Sequence, residues 1–111
     1  MQDRFKFRAW DSIAKEYIFD SYALYELFVN DIDNSYQIEQ CTGLKDKNGK
    51  LIYEGDIVSV TQFYDDGPTD KTSPCKVKYK YGRFNIHDIN SIFLEVIGNI
   101  HENPELLEEH K

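Results

Sequence analysis

Thr42-Gly43-Leu44-Lys45-Asp46-Lys47-Asn48-Gly49-Lys50-Leu51-Ile52-Tyr53-Glu54-Gly55-Asp56-Ile57-Val58 is the run that decides how this chain folds. Asn48-Gly49 stands between strand-like flanks. Both residues tolerate the positive φ of a tight I′ turn, so the pair predicts a β-hairpin. Gly55-Asp56 then punctuates the chain before Ile57-Val58-Ser59-Val60, which reads as a further strand.

Period-two alternation recurs on either side of this run. Phe5, Phe7 and Ala9 alternate with Lys6, Arg8 and Trp10, the pattern of a half-buried strand. Asp11 to Lys15 offers a turn and Glu16 to Phe19 a return strand. Ala23 to Val29 has helical spacing through Leu24, Leu27 and Phe28, and Asn30 to Ser35 reads as a loop. Alternation resumes at Tyr36 to Cys41, and a strand is expected from Ile57 to Phe63. The polar, Gly- and Pro-bearing stretch from Tyr64 to Pro74 predicts a mobile loop. Cys75, Val77, Tyr79 and Tyr81 then alternate with Lys76, Lys78 and Lys80, and Gly82-Arg83 can turn the chain into Phe84-Asn85-Ile86. Ile92 to Ile97 is the last and most apolar strand. Asn103 as N-cap and Pro104 at the first helical position predict a short C-terminal helix through about Glu109. Many short strands and one terminal helix argue for a small barrel or sandwich.

At 111 residues, 41% hydrophobic with eight tyrosines and seven phenylalanines, the chain has the size of one domain and is too apolar for disorder. The balance of 13 basic against 20 acidic residues gives −7, which repels phosphate backbones and suits a basic protein partner. Cys41 and Cys75 lack any CxxC context and read as free thiols in a reducing compartment. The chain start carries no apolar leader pattern and no apolar run approaches a membrane span, so a cytoplasmic location is expected, with no membrane partner.

Tests for chemistry return little. His87-Asp88 invites a dyad reading, but adjacent strand residues point to opposite faces. His101, His87 and His110 read as surface or cap residues. Neither cysteine has the context that makes a thiolate. Asp31-Ile32-Asp33-Asn34-Ser35 begins like a calcium loop but has Tyr36 and Thr42 where Gly and Glu are required. No catalytic, metal or cofactor-binding residue is assigned. Two basic stripes remain. Arg4, Lys6 and Arg8 lead to Trp10 on one strand face, and Lys76, Lys78 and Lys80 run beside Tyr81 and Arg83 on another. Basic stripes with aromatics serve single-stranded nucleic-acid grooves; alternating lysines more commonly mark the solvent face of a half-buried strand, which is the favoured reading.

The central run, together with Arg4-Phe5-Lys6-Phe7-Arg8-Ala9-Trp10-Asp11 and Val96-Ile97-Gly98-Asn99-Ile100-His101-Glu102-Asn103-Pro104-Glu105-Leu106-Leu107, resembles the YopX family of small phage- and prophage-encoded proteins. The blocks are collinear and reach both ends of the chain. The resemblance implies one domain over residues 1–111: an N-terminal β-hairpin extension and connecting segment (1–40), then an SH3-like barrel with a short C-terminal helix (41–111). It implies no catalytic residue. Gly55 and Asp56 read as turn and backbone-bonding residues, and Tyr53 as a member of a recognition groove or of the barrel rim. The expected function is a non-enzymatic interaction protein that binds a host or phage protein, with self-association as a companion expectation. The alternative is a nucleic-acid-binding barrel. Trp10, Tyr53, Lys76, Lys78, Lys80, Tyr81 and Arg83 are the candidate interaction residues.

Overall fold

Nine strands and one α-helix make up the computed structural model, which describes residues 6–29 and 35–108. Strands β1 (Phe7–Asp11), β2 (Glu16–Ile18), β3 (Tyr36–Lys45) and β4 (Leu51–Tyr53) form an antiparallel sheet in the order β2-β1-β3-β4. β5 (Asp56–Tyr64) pairs with β6 (Gly67–Lys76) on one side and β9 (Leu94–Asn99) on the other. β7 (Tyr79–Lys80) and β8 (Arg83–Phe84) make a minimal hairpin. The mainly β expectation holds. Among the described residues the ladders stay separate and do not close into a barrel. Arg4, Phe5, the calcium-like loop over residues 31–34, His110 and the end of the expected helix at Glu109 lie outside the described residues.

The core sits where β4, β5 and β9 meet the excursion between β6 and β9. Ile52, Val58, Val77, Ile86 and Leu94 are fully buried there, with Leu44, Val60, Phe84, Ile89 and Val96 packed around them. Each such side chain contributes about 1.5–3 kcal/mol of burial.

Several local expectations change. The Asn48-Gly49 turn is not I′, because only Gly49 has positive φ (81°). Asp46 takes command instead. Its backbone accepts from Gly49 N–H, and its Oδ1 accepts from the N–H groups of Asn48 and Lys50. A type I turn closed by a left-handed glycine results. The I′ geometry occurs at Tyr81-Gly82 between β7 and β8, where both φ values are positive (56° and 87°).

In the expected loop from Tyr64 to Pro74, Tyr64 ends β5, Asp65-Asp66 turn, and the rest belongs to β6, an edge strand that tolerates its prolines because one side of it carries no ladder. The clean alternation from Cys75 to Tyr81 breaks at Val77, whose backbone leaves β6 to bond Asp56 and Gly55. The helix α1 (Ser21–Val29) starts two residues earlier than expected, because Asp20 Oδ1 accepts from the N–H groups of Tyr22 and Ala23. The C-terminal helix is a single 3₁₀ turn, Pro104–Leu107, and Asn103 does not cap it with its side chain. The Asn103 Oδ1 accepts from Asn99 N–H instead.

Candidate functional site

Two strand pairings bring charges into the interior. Arg8 of β1 stands directly across from Glu39 of β3, so both project to the same face. That face is the inner one: Arg8 is 5% exposed and Glu39 1%. Arg8 Nε donates to Glu39 Oε1 at 2.8 Å, and Nη2 donates to Asp56 Oδ1 at 2.9 Å and to the Glu54 carbonyl at 3.3 Å. The guanidinium lies between the rings of Tyr17 and Tyr53, 3.9 and 4.6 Å from their centroids. Glu39 also accepts from the Tyr17 hydroxyl, Gln37 Nε2 and, at 2.7 Å, His101 Nε2. The His101 ring stacks on Trp10 at 4.7 Å and 5°.

Local sequence builds each arm of this cluster. Gly55 has φ of 90°, and a Cβ there would stand 2.7 Å from the Glu39 carboxylate, so glycine is required twice over. Asp56 Oδ2 accepts from Tyr53 N–H, closing the turn. Asn99 Oδ1 accepts from the N–H groups of His101 and Glu102, which folds the chain back and lays His101 on Trp10. Gly98 leaves room for the Asn103 side chain that a Cβ would strike at 2.6 Å.

Burial works against the Arg8 charge, but Asp56 and Glu39 hold its pKa above the ordinary value. Burial pushes the Asp56 carboxyl up, against the opposing pull of Arg8 and the Tyr53 N–H. Burial likewise raises the Tyr17 phenol well above its ordinary range, with Arg8 opposing and Glu39 adding to it. Among the described residues no buried side-chain nitrogen or oxygen lacks a partner, and no group of three His, Cys, Asp or Glu could hold a metal ion.

A cleft of about 500 Å³ opens onto this cluster. Leu51 and Tyr53 of β4, Lys50 just before them, and Val96 to Asn99 of β9 line it. Arg8, Tyr17, Phe19, Asp56, Glu102 and Asn103 complete the lining. A second hollow of about 270 Å³ lies at the β7–β8 tip, among Lys78, Lys80, Tyr81, Arg83 and His87.

The sequence profile described as YopX protein matches residues 24–108. The chain belongs to the YopX family. This YopX-family chain is 34% identical over 74 residues to the SPbeta prophage-derived uncharacterized protein YopX of Bacillus subtilis (strain 168), covering 54% of itself and 52% of that protein. It therefore spans about half the length of the curated relative it matches. The crystal structure of protein EF1440 from Enterococcus faecalis superposes with a TM-score of 0.61 at 32% identity, over 92% of this chain and 96% of the other. The crystal structure of YopX from Bacillus subtilis shares the fold, with a TM-score of 0.57 at 20% identity, over 94% and 98% of the two chains.

The YopX-family blocks singled out in the sequence meet at one place, the cluster. Tyr53 is there as a wall over Arg8, and Trp10 is buried beneath His101 rather than on a solvent face. Arg8 leaves the first basic stripe for an internal ion pair, so the two stripes do not share a surface through it. Lys78, Lys80, Tyr81 and Arg83 do gather at the β7–β8 tip, with Lys76 exposed at the end of β6. His87 is exposed, and Asp88 pairs with Arg83 at 3.4 Å, so the two form no dyad. His101 is no surface residue; its side chain is 13% exposed. Glu39 escaped sequence reasoning, because a lone Glu in an alternating strand carries no mark of burial until its cross-strand partner is known.

Proposed function

We propose that the chain is a non-enzymatic protein-interaction module of phage or prophage origin on an SH3-like scaffold, acting on a host or phage protein in the bacterial cytoplasm. The observation that carries this reading is the outer face of α1. Tyr22, Tyr25 and Val29 fall on one helical stripe and are 71%, 61% and 55% exposed, while Leu24 is buried on the opposite side. A helix that is apolar on both sides calls for a second covering surface. The ionisable cluster supports the same reading, since its carboxylates are engaged by protein donors and held for structure.

The test is affinity capture from bacterial lysate with and without nuclease, using wild type and the double variant Tyr22→Ser/Tyr25→Ser. One dominant protein that survives nuclease and is lost with the variant supports the module. Equal capture by both removes α1 as the docking face. Self-association belongs to the same proposal, and a sedimentation series of the two proteins reads it.

A second reading has one specific observation in its favour. The β7–β8 tip gathers Lys78, Lys80 and Arg83 around Tyr81, which is 91% exposed with Lys80 Nζ 5.1 Å from its ring. A single-stranded oligonucleotide would stack on Tyr81 while the cations follow its backbone. Binding that weakens steeply with salt and vanishes on Lys78→Glu/Lys80→Glu supports this reading; salt-independent or absent binding removes it.

A further inference from the structure

We propose that the hollow at the β7–β8 tip holds a nucleoside phosphomonoester, its base stacked on Tyr81 and its phosphate on Lys80 and Arg83. The hairpin carries two features that its own fold does not need. Lys80 stands directly across from Arg83, so two cations share one face of a ladder two pairs long. Like charges in that position repel and destabilise a hairpin. Tyr81 takes the first central position of the I′ turn at φ of 56°, where a bulky side chain is out of place, and its ring is 91% exposed. Backbone strain of that kind gathers where a ligand is held.

The remainder of the hairpin keeps those groups in place. Val77 and Ile86 at its two ends are fully buried in the core. Asn85 Oδ1 accepts from Lys78 N–H and its Nδ2 donates to the Lys76 carbonyl, which ties the two arms together below the tip. Tyr79 and Phe84, the other cross-strand pair, meet edge to face at 4.9 Å. A face fixed in advance loses less freedom on binding.

Charge and size select the ligand. His87 aside, the charged residues lining the hollow are three cations, Lys78, Lys80 and Arg83, and one carboxylate, Asp88, within a chain of net charge −7. Arg83 and Asp88 stand 3.4 Å apart, which leaves a surplus of two positive charges. A phosphomonoester carries roughly −1.5 to −2 at neutral pH and matches that surplus, whereas an internal phosphodiester carries a single charge. Strands of two residues each give no groove along which a longer polynucleotide could run. The volume of about 270 Å³ lies below the roughly 300–1,000 Å³ of drug-sized pockets and suits one nucleotide. Every base has a π-face that Tyr81 can stack, so the phosphate and not the base identity sets the preference.

The inference rests on the nucleic-acid reading of this tip and is tested so that the two fail separately. A short labelled oligothymidylate, with and without a terminal phosphate at its unlabelled end, is titrated with the full chain and followed by fluorescence anisotropy. Thymidine monophosphate, thymidine and inorganic phosphate serve as competitors. The phosphorylated strand is expected to bind at least about tenfold tighter than the unphosphorylated one, with affinity independent of strand length. Thymidine monophosphate displaces it, and thymidine and inorganic phosphate do so at least roughly tenfold more weakly. Displacement at the strand's own affinity supports a free nucleotide as the source; weaker displacement supports a phosphorylated strand end. Arg83→Gln and Tyr81→Asn each lose at least about tenfold, the latter without a fall in Tm, while Asp88→Asn binds more tightly. Equal binding of both strands that rises with length overturns the proposal and leaves the nucleic-acid reading standing. Inorganic phosphate competing as well as the nucleotide, or variants that bind like wild type, overturns it too. Absence of binding by either strand removes both readings.

Discussion

Arg8 is held by Glu39, Asp56 and the Glu54 carbonyl while two tyrosine rings cover its faces. Such a group is worth most when one partner is removed, because the others are then buried as uncompensated charges. Arg8→Met is expected to cost about 3–5 kcal/mol, read as a lower urea midpoint; a change near zero would mean that water reaches Glu39 and Asp56. Asp46 offers a pH-resolved counterpart. Burial raises its pKa, but backbone N–H groups of Val96, Lys50 and Asn48 outweigh that and leave it below the usual carboxylate range. A depressed folded-state pKa contributes stability that is present above the unfolded pKa and is lost as pH falls through the folded one. Asp46→Asn should therefore cost about 1–3 kcal/mol at neutral pH. The gap to wild type should then narrow below about pH 4. Urea titrations at several pH values measure this, and a gap that stays constant into acid would assign the loss to geometry rather than charge. Asp46 and Asn48 also mark a limit of legibility at this scale. The Asn-Gly pair correctly announced a turn, but its type was set by a carboxylate two residues upstream, which pair statistics do not weigh.

At the level of elements, most strands were legible because their signals are local: β1 and β3 lie close to where alternation placed them, β2 follows the turn from Asp11 to Lys15, β5 follows Gly55-Asp56, and β9 overlaps the apolar run from Ile92 to Ile97. The misses have physical causes. β6 reads as a loop because an edge strand may carry Gly67, Pro68 and Pro74 without losing a shared ladder. The lysine-alternating run from Cys75 to Tyr81 reads as one strand. Yet Val77 is pulled out of it by bonds to Gly55 and Asp56, elements distant in sequence. The β7–β8 hairpin was placed, but its I′ turn was not, since Tyr81 is a poor residue for φ of 56°. That mismatch gives a prediction. Tyr81→Asn keeps the turn and relieves the left-handed penalty, and it should stabilise the protein by roughly 0.5–1 kcal/mol. An upward shift in Tm checks it, and unchanged or lower stability would show that the Lys80–Tyr81 contact outweighs the backbone strain.

On the scale of the whole molecule, the family blocks were legible as signatures and opaque as chemistry. They turn out to be the arms of one internal junction. Arg8 and Trp10 come from the first block, Tyr53 to Asp56 from the second and Gly98 to Asn103 from the third. Nothing local in any block says that the others will meet it, so the candidate site was invisible although nearly all its residues had been singled out. The junction also explains the shape. Sheets tied at one hub but not closed on each other give a Cα radius of gyration of 15.3 Å and a long axis of 53 Å. A compact chain of this size would have a radius of about 13 Å. In such a molecule stability cannot be uniform. β5 is paired on both sides and packs the core, whereas α1 rests on β1 by one face. Local opening should therefore be far easier in α1 than in β5. Native-state hydrogen exchange of the isolated protein is expected to show α1 amides exchanging at least roughly a hundredfold faster than those of β5. Addition of the captured partner should then slow α1 and leave β5 unchanged. If α1 were already as protected as β5 in the isolated protein, with protection rising with concentration, its apolar stripe would be covered by a second copy. The search for another partner would then move to the β7–β8 tip.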